Sequence, residues 1–274
     1  MREADFHSLE QPKSVEEWIA RIETVWKNIP EFKVDPGKLK HLAIICDGNR
    51  RVAKERGFHP WYGHQAGVEV IKGIARAARE WGVHALTFWT WSTENWERES
   101  EQIEFIMGLA AKGLNDKRII EELVKNQVRF THIGRKDRLP LGVRKALEDL
   151  ELKTVDLDVY RVNLAMDYGG TDEIRRALVK MFEEIQAGKI SAKQLLENKE
   201  LIFQYLDTVG QSLPDLVIRT GVKPEEIPHT SGFMPLQTAY AGWAFLPDLF
   251  PDLTPQSLLK PISDFVGYER RLGR

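Results

Sequence analysis

Three short stretches carry residue types that could do chemistry together. Cys46-Asp47-Gly48-Asn49-Arg50-Arg51 sets one carboxylate and two guanidinium groups around a glycine. Arginines there would recognise phosphate oxygens bidentately, and the free N–H groups of a following helix start would add to an anion site. An aspartate among those cations weakens anion binding, but it makes sense as a ligand of Mg²⁺, which in turn bridges phosphate oxygens. The competing reading is an N-capping Asp beside solvated arginines, and the hexapeptide alone favours it. Ser92-Thr93-Glu94-Asn95-Trp96-Glu97-Arg98 offers a hydroxyl pair, an amide, an indole and a cation. A capped helix start would explain one of those residues and leave Asn95, Trp96 and Arg98 without a purpose. Arg219-Thr220-Gly221 closes an apolar run, where an arginine needs an anion or a structural salt bridge. His64, in Tyr62-Gly63-His64-Gln65-Ala66-Gly67, lies near another helix start, and periodicity does not decide its role. G-x-x-x-x-G-K-[ST], G-x-G-x-x-G after a strand, H-E-x-x-H and G-x-S-x-G are all missing. The constellation therefore points to diphosphate and Mg²⁺ rather than to a nucleotide or to hydrolysis.

These turns need elements to position them, and the chain supplies strands and helices in alternation. HLAIICDG (41–48), ALTFWTW (85–91), VRFTHIG (128–134), VYRVNLAMDYGG (159–170) and DLVIRTG (215–221) read as strands, and WAFLPDL could hold a short sixth. Between them lie a helix broken at Gly57 and Pro60, then the stretches IEFIMGLAAKGL, LGVRKALEDLEL and TDEIRRALVKMFEEIQ, with a final helix that Pro261 could kink. Alternation of this kind implies parallel strands with right-handed crossovers. Continuous apolar runs imply a sheet covered on both faces. Ligands then bind beyond the carboxyl ends of the strands, where the loaded turns fall. Residues 1–40 form an extension whose amphipathic segment SVEEWIARIETVWKNI places Trp18, Ile19, Ile22, Val25 and Trp26 on one stripe. Its polar face is as acidic as it is basic, so packing on the domain is favoured over a membrane surface.

Composition narrows the classes further. The 274 residues carry 39 Lys+Arg against 41 Asp+Glu, a net charge of −2, which lacks the basic excess of a nucleic-acid binder. With 42% hydrophobic and 29% charged residues, the chain is globular rather than disordered. No apolar run approaches the roughly 18 residues of a membrane helix, and the polar start reads as no signal peptide. One cysteine, Cys46, excludes a disulfide framework and a Cys-based zinc site. A cytoplasmic setting is expected.

The motifs D-G-N-R-R (47–51), G-H-Q-A-G (63–67), S-T-E-N-W-E-R (92–98) and I-R-T-G (218–221), in this order, resemble the cis-prenyltransferases, the undecaprenyl and dehydrodolichyl diphosphate synthase family. The resemblance runs from about His41 to the C-terminus, where Arg271-Leu272-Gly273 looks like the family's terminal signature. It implies a mostly parallel central sheet flanked by helices, with a hydrophobic tunnel, in residues 41–274. It also implies a homodimer, with peripheral membrane association through the lipid product. The implied reaction is Mg²⁺-dependent condensation of isopentenyl diphosphate with an allylic diphosphate, such as farnesyl diphosphate, to give Z double bonds. The alternative within the family is a prenyl-diphosphate-binding subunit that supports a catalytic partner. By motif, Asp47 would hold Mg²⁺ and the allylic diphosphate, cradled by Gly48, Asn49, Arg50, Arg51 and His64. Asn95 would assist proton removal, with Ser92, Thr93, Glu94, Trp96 and Arg98 around it. Arg219 and Ser231 would hold the isopentenyl diphosphate, with His229 where the family has an arginine.

Three departures stand out. Arg50 replaces the glycine of the common bacterial pattern, Val222–Pro228 intervene after the I-R-T-G motif, and Gly242 stands where the family carries a metal-site glutamate. On a period of two, Trp89 and Trp91 share one face of their strand and Thr90 takes the other. Large aromatics pack in cores more often than they line cavities, so Thr90 is expected to face the tunnel.

Overall fold

The computed structural model describes residues 11–268. Strands β1 (His41–Ile45), β2 (Ala85–Ser92), β3 (Val128–Ile133), β4 (Tyr160–Tyr168), β5 (Leu216–Arg219) and β6 (Gly242–Phe245) make one sheet in the order β3-β4-β2-β1-β5-β6. Every neighbouring pair is parallel. The helices are α1 (Val15–Val25), α2 (Asn49–Glu55), α3 (Tyr62–Trp81), α4 (Ser100–Leu114), α5 (Lys117–Lys125), α6 (Leu141–Thr154), α7 (Gly170–Gln186), α8 (Ala192–Glu197) and α9 (Pro255–Gly267). The expected α/β alternation is therefore present. α5 and α8 are additions to the helices read from the sequence, and neither has a buried residue.

Every residue of the central strands β1 and β5 is buried, as continuous apolar runs require. Leu42, Ile44, Leu86, Phe88 and Ile218 face a core completed by Val70, Ile74 and Ala77 of α3. Trp18, Ile22 and Trp26 belong to that same core, so α1 packs against the body of the fold along its aromatic stripe. On the opposite face Ala43, Ile45 and Val217 meet Trp89 and Phe233.

Two features fix how the strands lie. A buried polar row crosses β1, β2 and β4: His41 Nε2 is 2.8 Å from Thr87 Oγ1, to which Asn163 Nδ2 donates at 3.0 Å. Slipping any of the three strands by one residue would strand these groups without partners. The second feature is a bulge. β2 pairs Trp89 with Ala165 but Trp91 with Met166, a register shift that sets two residues of β2 against one of β4. Trp89 stacks on Phe233 on one side of the sheet. Trp91 joins Ile106, Phe130 and Met166 on the other. The two tryptophans therefore do not share a face, contrary to simple alternation, because the extra residue breaks the period.

Candidate active site

Beyond the carboxyl ends of β1, β2 and β5 lies a cleft of about 770 Å³. The turn after β1 contributes Asp47, Gly48, Asn49, Arg50 and Arg51 to its wall. Ser92, Glu94, Asn95 and Arg98 come from the turn after β2, and Arg219, His229 and Ser231 from β5 and its following loop. His64, from the first turn of α3, completes the set. Of the residues that the motifs single out, Thr93 and Trp96 lie outside this lining. Thr93 donates to Glu94 at 2.8 Å, and Trp96 Nε1 donates to Asp167 Oδ1 at 2.8 Å. Lys54 lines the cleft and was missed, although it follows Arg50 and Arg51 at helical spacing.

Local backbone explains the motif glycines. Gly48 has φ +107°, and a Cβ there would lie 2.9 Å from the Leu249 Cα, so the turn admits only glycine. At Gly63 a Cβ would fall 1.7 Å from the Asn49 carbonyl oxygen, which is how closely the starts of α2 and α3 approach. Asp47 is pinned through its backbone by Thr220, whose hydroxyl donates to the Asp47 carbonyl at 2.7 Å. α2 has only seven residues, so the cationic character of the cleft comes from side chains more than from a helix dipole.

Asp47 is the carboxylate at the centre. Its Oδ1 accepts from Arg51 Nη2 at 3.2 Å and its Oδ2 from Arg219 Nη2 at 3.1 Å. Arg219 also donates to the His229 carbonyl and to Ser231 Oγ, each at 2.7 Å. Of the two sequence readings of Arg219, the structure shows the salt bridge, which is made with the candidate metal ligand. Arg98 is different. It is half-buried beneath the cleft with its Cζ 5.2 Å from the Trp91 ring, and its Nη1 is buried without a partner. Burial and the neighbouring Arg50 lower the pKa of its guanidinium. His64 is held neutral: burial, then Arg98 and Arg50, pull its pKa down from 6.5 to about 3. Its Nε2 also lacks a partner. Polar atoms of a cation and an imidazole that are buried without partners are costly unless a ligand supplies the partners. The ligand that fits is an anion.

Among the described residues no three His, Cys, Asp or Glu side chains converge on one point. That donor set would not cage a metal by itself. It does fit Mg²⁺, which keeps several waters and typically uses one or two carboxylates plus substrate phosphates. Asp47 would supply the protein ligand.

The cleft borders a largely apolar cavity of about 240 Å³, and Cys46, Asn49, His64, Thr90 and Trp91 line both spaces. The cavity runs under α3 and α4 along Leu86, Phe88, Val162 and Leu164 of the sheet. Thr90 faces it, as expected. Trp91 faces it too, which the bulge makes possible. At its far end the lining includes Arg79 and Glu122, which pair at 3.4 Å.

Gly242 is far from all of this within one chain. It opens β6 and pairs with Leu216, three residues before Arg219, or about 10 Å lower along the sheet. A Cβ there would meet the Phe265 ring at 2.6 Å. A glutamate at 242 would therefore be directed into α9 and away from Asp47.

Fold and site together define a parallel α/β protein with a cationic cleft beside a largely apolar cavity. The comparisons agree. Residues 45–273 match the model of the prenyltransferase family described as "Putative undecaprenyl diphosphate synthase". The isoprenyl transferase of Clostridium perfringens is 37% identical over 85% of this chain and 89% of its own length. The tritrans,polycis-undecaprenyl-diphosphate synthase (geranylgeranyl-diphosphate specific) of Thermococcus kodakarensis is 36% identical over 88% and 90%. Lavandulyl diphosphate synthase from Lavandula x intermedia, solved in complex with dimethylallyl diphosphate, matches with a TM-score of 0.81 at 29% identity. That match covers 88% of this chain and 100% of the other. The chain belongs to the undecaprenyl diphosphate synthase family, and it is a prenyl transferase.

Proposed function

We propose that the protein elongates an allylic prenyl diphosphate with isopentenyl diphosphate, forming Z double bonds. The observation that carries this reading is that the cationic cleft and the apolar cavity adjoin, sharing His64, Thr90 and Trp91 in their walls. A substrate with an anionic head and a hydrocarbon tail fills both spaces at once. Arg50, Arg51 and Lys54 would neutralise the allylic diphosphate, while Arg219, His229 and Ser231 would hold the second diphosphate. Mg²⁺ at Asp47 would supply Lewis-acid stabilisation of the leaving diphosphate. The isopentenyl double bond attacks the allylic carbon as its C–O bond breaks, and the resulting tertiary cation loses a proton to give the new alkene. Asn95 is an amide and too weak a base to keep that proton, and its Oδ1 already accepts from the Ser92 N–H at 3.2 Å. It orients the group from which the proton departs, and the released diphosphate accepts the proton. Arg98, unpaired and half-buried, stabilises the charge that develops on the departing oxygen.

Labelled isopentenyl diphosphate with Mg²⁺ and, in turn, dimethylallyl, farnesyl or geranylgeranyl diphosphate tests this reading. The primers follow from the relatives' specificities and the resemblance. Products longer than the primer by multiples of five carbons support it, and no incorporation with any primer refutes self-sufficient activity. One observation favours a second reading, a prenyl-diphosphate-binding subunit: among the described residues no three His, Cys, Asp or Glu side chains converge, and a side chain at position 242 would meet Phe265. Activity that emerges only when a second family subunit is added would establish it. No described helix is long and apolar enough to cross a membrane. A cytoplasmic homodimer that meets the bilayer through its lipid product is the form we infer, and sedimentation with and without vesicles tests it.

A further inference from the structure

We infer that Asp167 and Arg138 form a clamp that positions the Ser92–Arg98 turn through the indole N–H of Trp96. The inference rests on the proposed function above, because it concerns where Asn95 and Arg98 stand relative to the substrates. Asp167 is completely buried at the end of β4 and has φ +52°, left-handed for a residue that is not glycine. A buried carboxylate in that conformation is expensive unless its oxygens are fully engaged. They are. Oδ1 accepts from Trp96 Nε1 at 2.8 Å and also from Arg138 Nη2, while Oδ2 accepts from Arg138 Nε at 2.9 Å. The Asp167 carbonyl accepts from the Arg135 N–H at 3.0 Å, which ties the loop after β3 to the same point.

None of Asp167, Arg138 and Trp96 lines the cleft, so this group does not bind substrate directly. Its consequence is felt one layer up. The five-residue 3₁₀ turn Thr93–Glu97 has no buried residue of its own. Among the described residues, Trp96–Asp167 is the one hydrogen bond from a side chain of that turn to a distant part of the chain, 71 residues away. The Trp96 ring then meets Trp91 edge-on at 5.6 Å, and Trp91 carries the Arg98 guanidinium 5.2 Å from its centroid. Arg138 covers the Trp96 ring from the other side, 5.9 Å from Cζ to centroid. Arg138, Asp167, Trp96, Trp91 and Arg98 are thus one stack. At its lower end the buried Asp167 carboxylate is paired with Arg138 on the surface, and its upper end faces the cleft. Trp96 is a positioning residue, and the carboxylate that aims it comes from β4.

The test uses the full chain with Trp96→Phe, which keeps the ring and loses the N–H, and with Asp167→Asn. The readouts are steady-state kinetics, melting temperature, and the NMR signals of the Asn95 side-chain amide. We expect Trp96→Phe to melt within a few degrees of wild type. Its kcat should fall at least fivefold at saturation with both substrates, each KM should change less than twofold, and the Asn95 amide signals should shift. Asp167→Asn should shift the same signals. The double variant Asp167→Asn/Arg138→Gln, which restores neutral pairing and the acceptor for Trp96, should recover part of kcat. Wild-type kcat in Trp96→Phe, or Asn95 signals unmoved in both single variants, would overturn the clamp. Absence of prenyl transfer in the wild type would count against the proposed function instead, and the Asn95 signals would then decide the clamp alone.

Discussion

Replacing Asp47 by Asn should change two properties in opposite directions. The Asp47 carboxylate accepts from Arg51 and Arg219 at 3.2 and 3.1 Å. A diphosphate oxygen on the far side of the same Arg219 guanidinium would lie roughly 6 Å from Oδ2, given ordinary hydrogen-bond lengths. Two unit charges at that separation repel by about 0.7 kcal/mol in water and about 2.8 kcal/mol at an effective dielectric of 20. The Asp47 side chain is 39% exposed, so the lower part of that range applies. Removing the charge should therefore tighten binding of inorganic diphosphate by about 1 kcal/mol, or roughly fivefold, when Mg²⁺ is chelated. With Mg²⁺ present the sign reverses, because the hard oxygen ligand is gone, and turnover should be lost. Calorimetric titration of Asp47→Asn and wild type with diphosphate, in EDTA and in excess Mg²⁺, measures both. Weaker binding in EDTA would mean that Asp47 organises Arg51 and Arg219 more than it repels the ligand. Turnover near wild type would show that the metal is held elsewhere.

Three further outcomes follow from particular contacts. Gly242→Glu should leave the Mg²⁺ titration unchanged and destabilise by about 1–3 kcal/mol, since the new side chain meets Phe265; urea unfolding beside a Mg²⁺ titration checks both, and a tightened Mg²⁺ requirement would mean that position 242 reaches a metal site. Thr90→Leu should shorten the product distribution by filling the cavity mouth, whereas Trp91→Ala should lengthen it at a cost of about 3–5 kcal/mol in stability; mass analysis of products with a melting curve separates these, and unchanged lengths in both would place the growing chain elsewhere. Burial drives the His41 pKa down from 6.5 to about 4, so the unfolded chain binds that proton first and stability falls as pH drops from 6.5 towards 4. The loss amounts to about 3 kcal/mol over the whole window, and urea midpoints for wild type and His41→Gln at pH 7, 5.5 and 4.5 should converge towards the acid end; equal pH slopes would refute the assignment.

What the sequence made legible is what depends on local pattern. Continuous apolar runs gave the strands, and the breaks at Gly57 and Pro60 separated α2 from α3 as read. The loaded turns met in one cleft because parallel strands deliver all their carboxyl ends to one edge of the sheet. What stayed hidden depends on contacts distant in sequence. Trp96 reads as a cleft residue from its motif, yet its partner is Asp167 in another strand, and no spacing connects them. α5 carries a clear apolar stripe of Ile119, Ile120, Leu123 and Val124, but at nine residues, directly after α4 and ahead of β3, it is short enough to pass for a connection.

The bulge in β2 shows most clearly why the remainder was out of reach. Period two assumes that each residue of a strand opposes one residue of its neighbour. Between Trp89 and Trp91 that count fails, and nothing in ALTFWTW marks where, since every residue there suits a strand. One extra residue moves Trp91 from the side of Phe233 to the cavity wall, where it supports Arg98. The same shift lets Thr90 and Trp91, adjacent in sequence, border both the cleft and the cavity. A regular strand would have sent one of them to the other face. The place where the periodic reading breaks is therefore also where the cationic cleft borders the apolar cavity, and the Trp91 ring there would give the hydrocarbon tail of a proposed substrate an apolar wall beside its charged head.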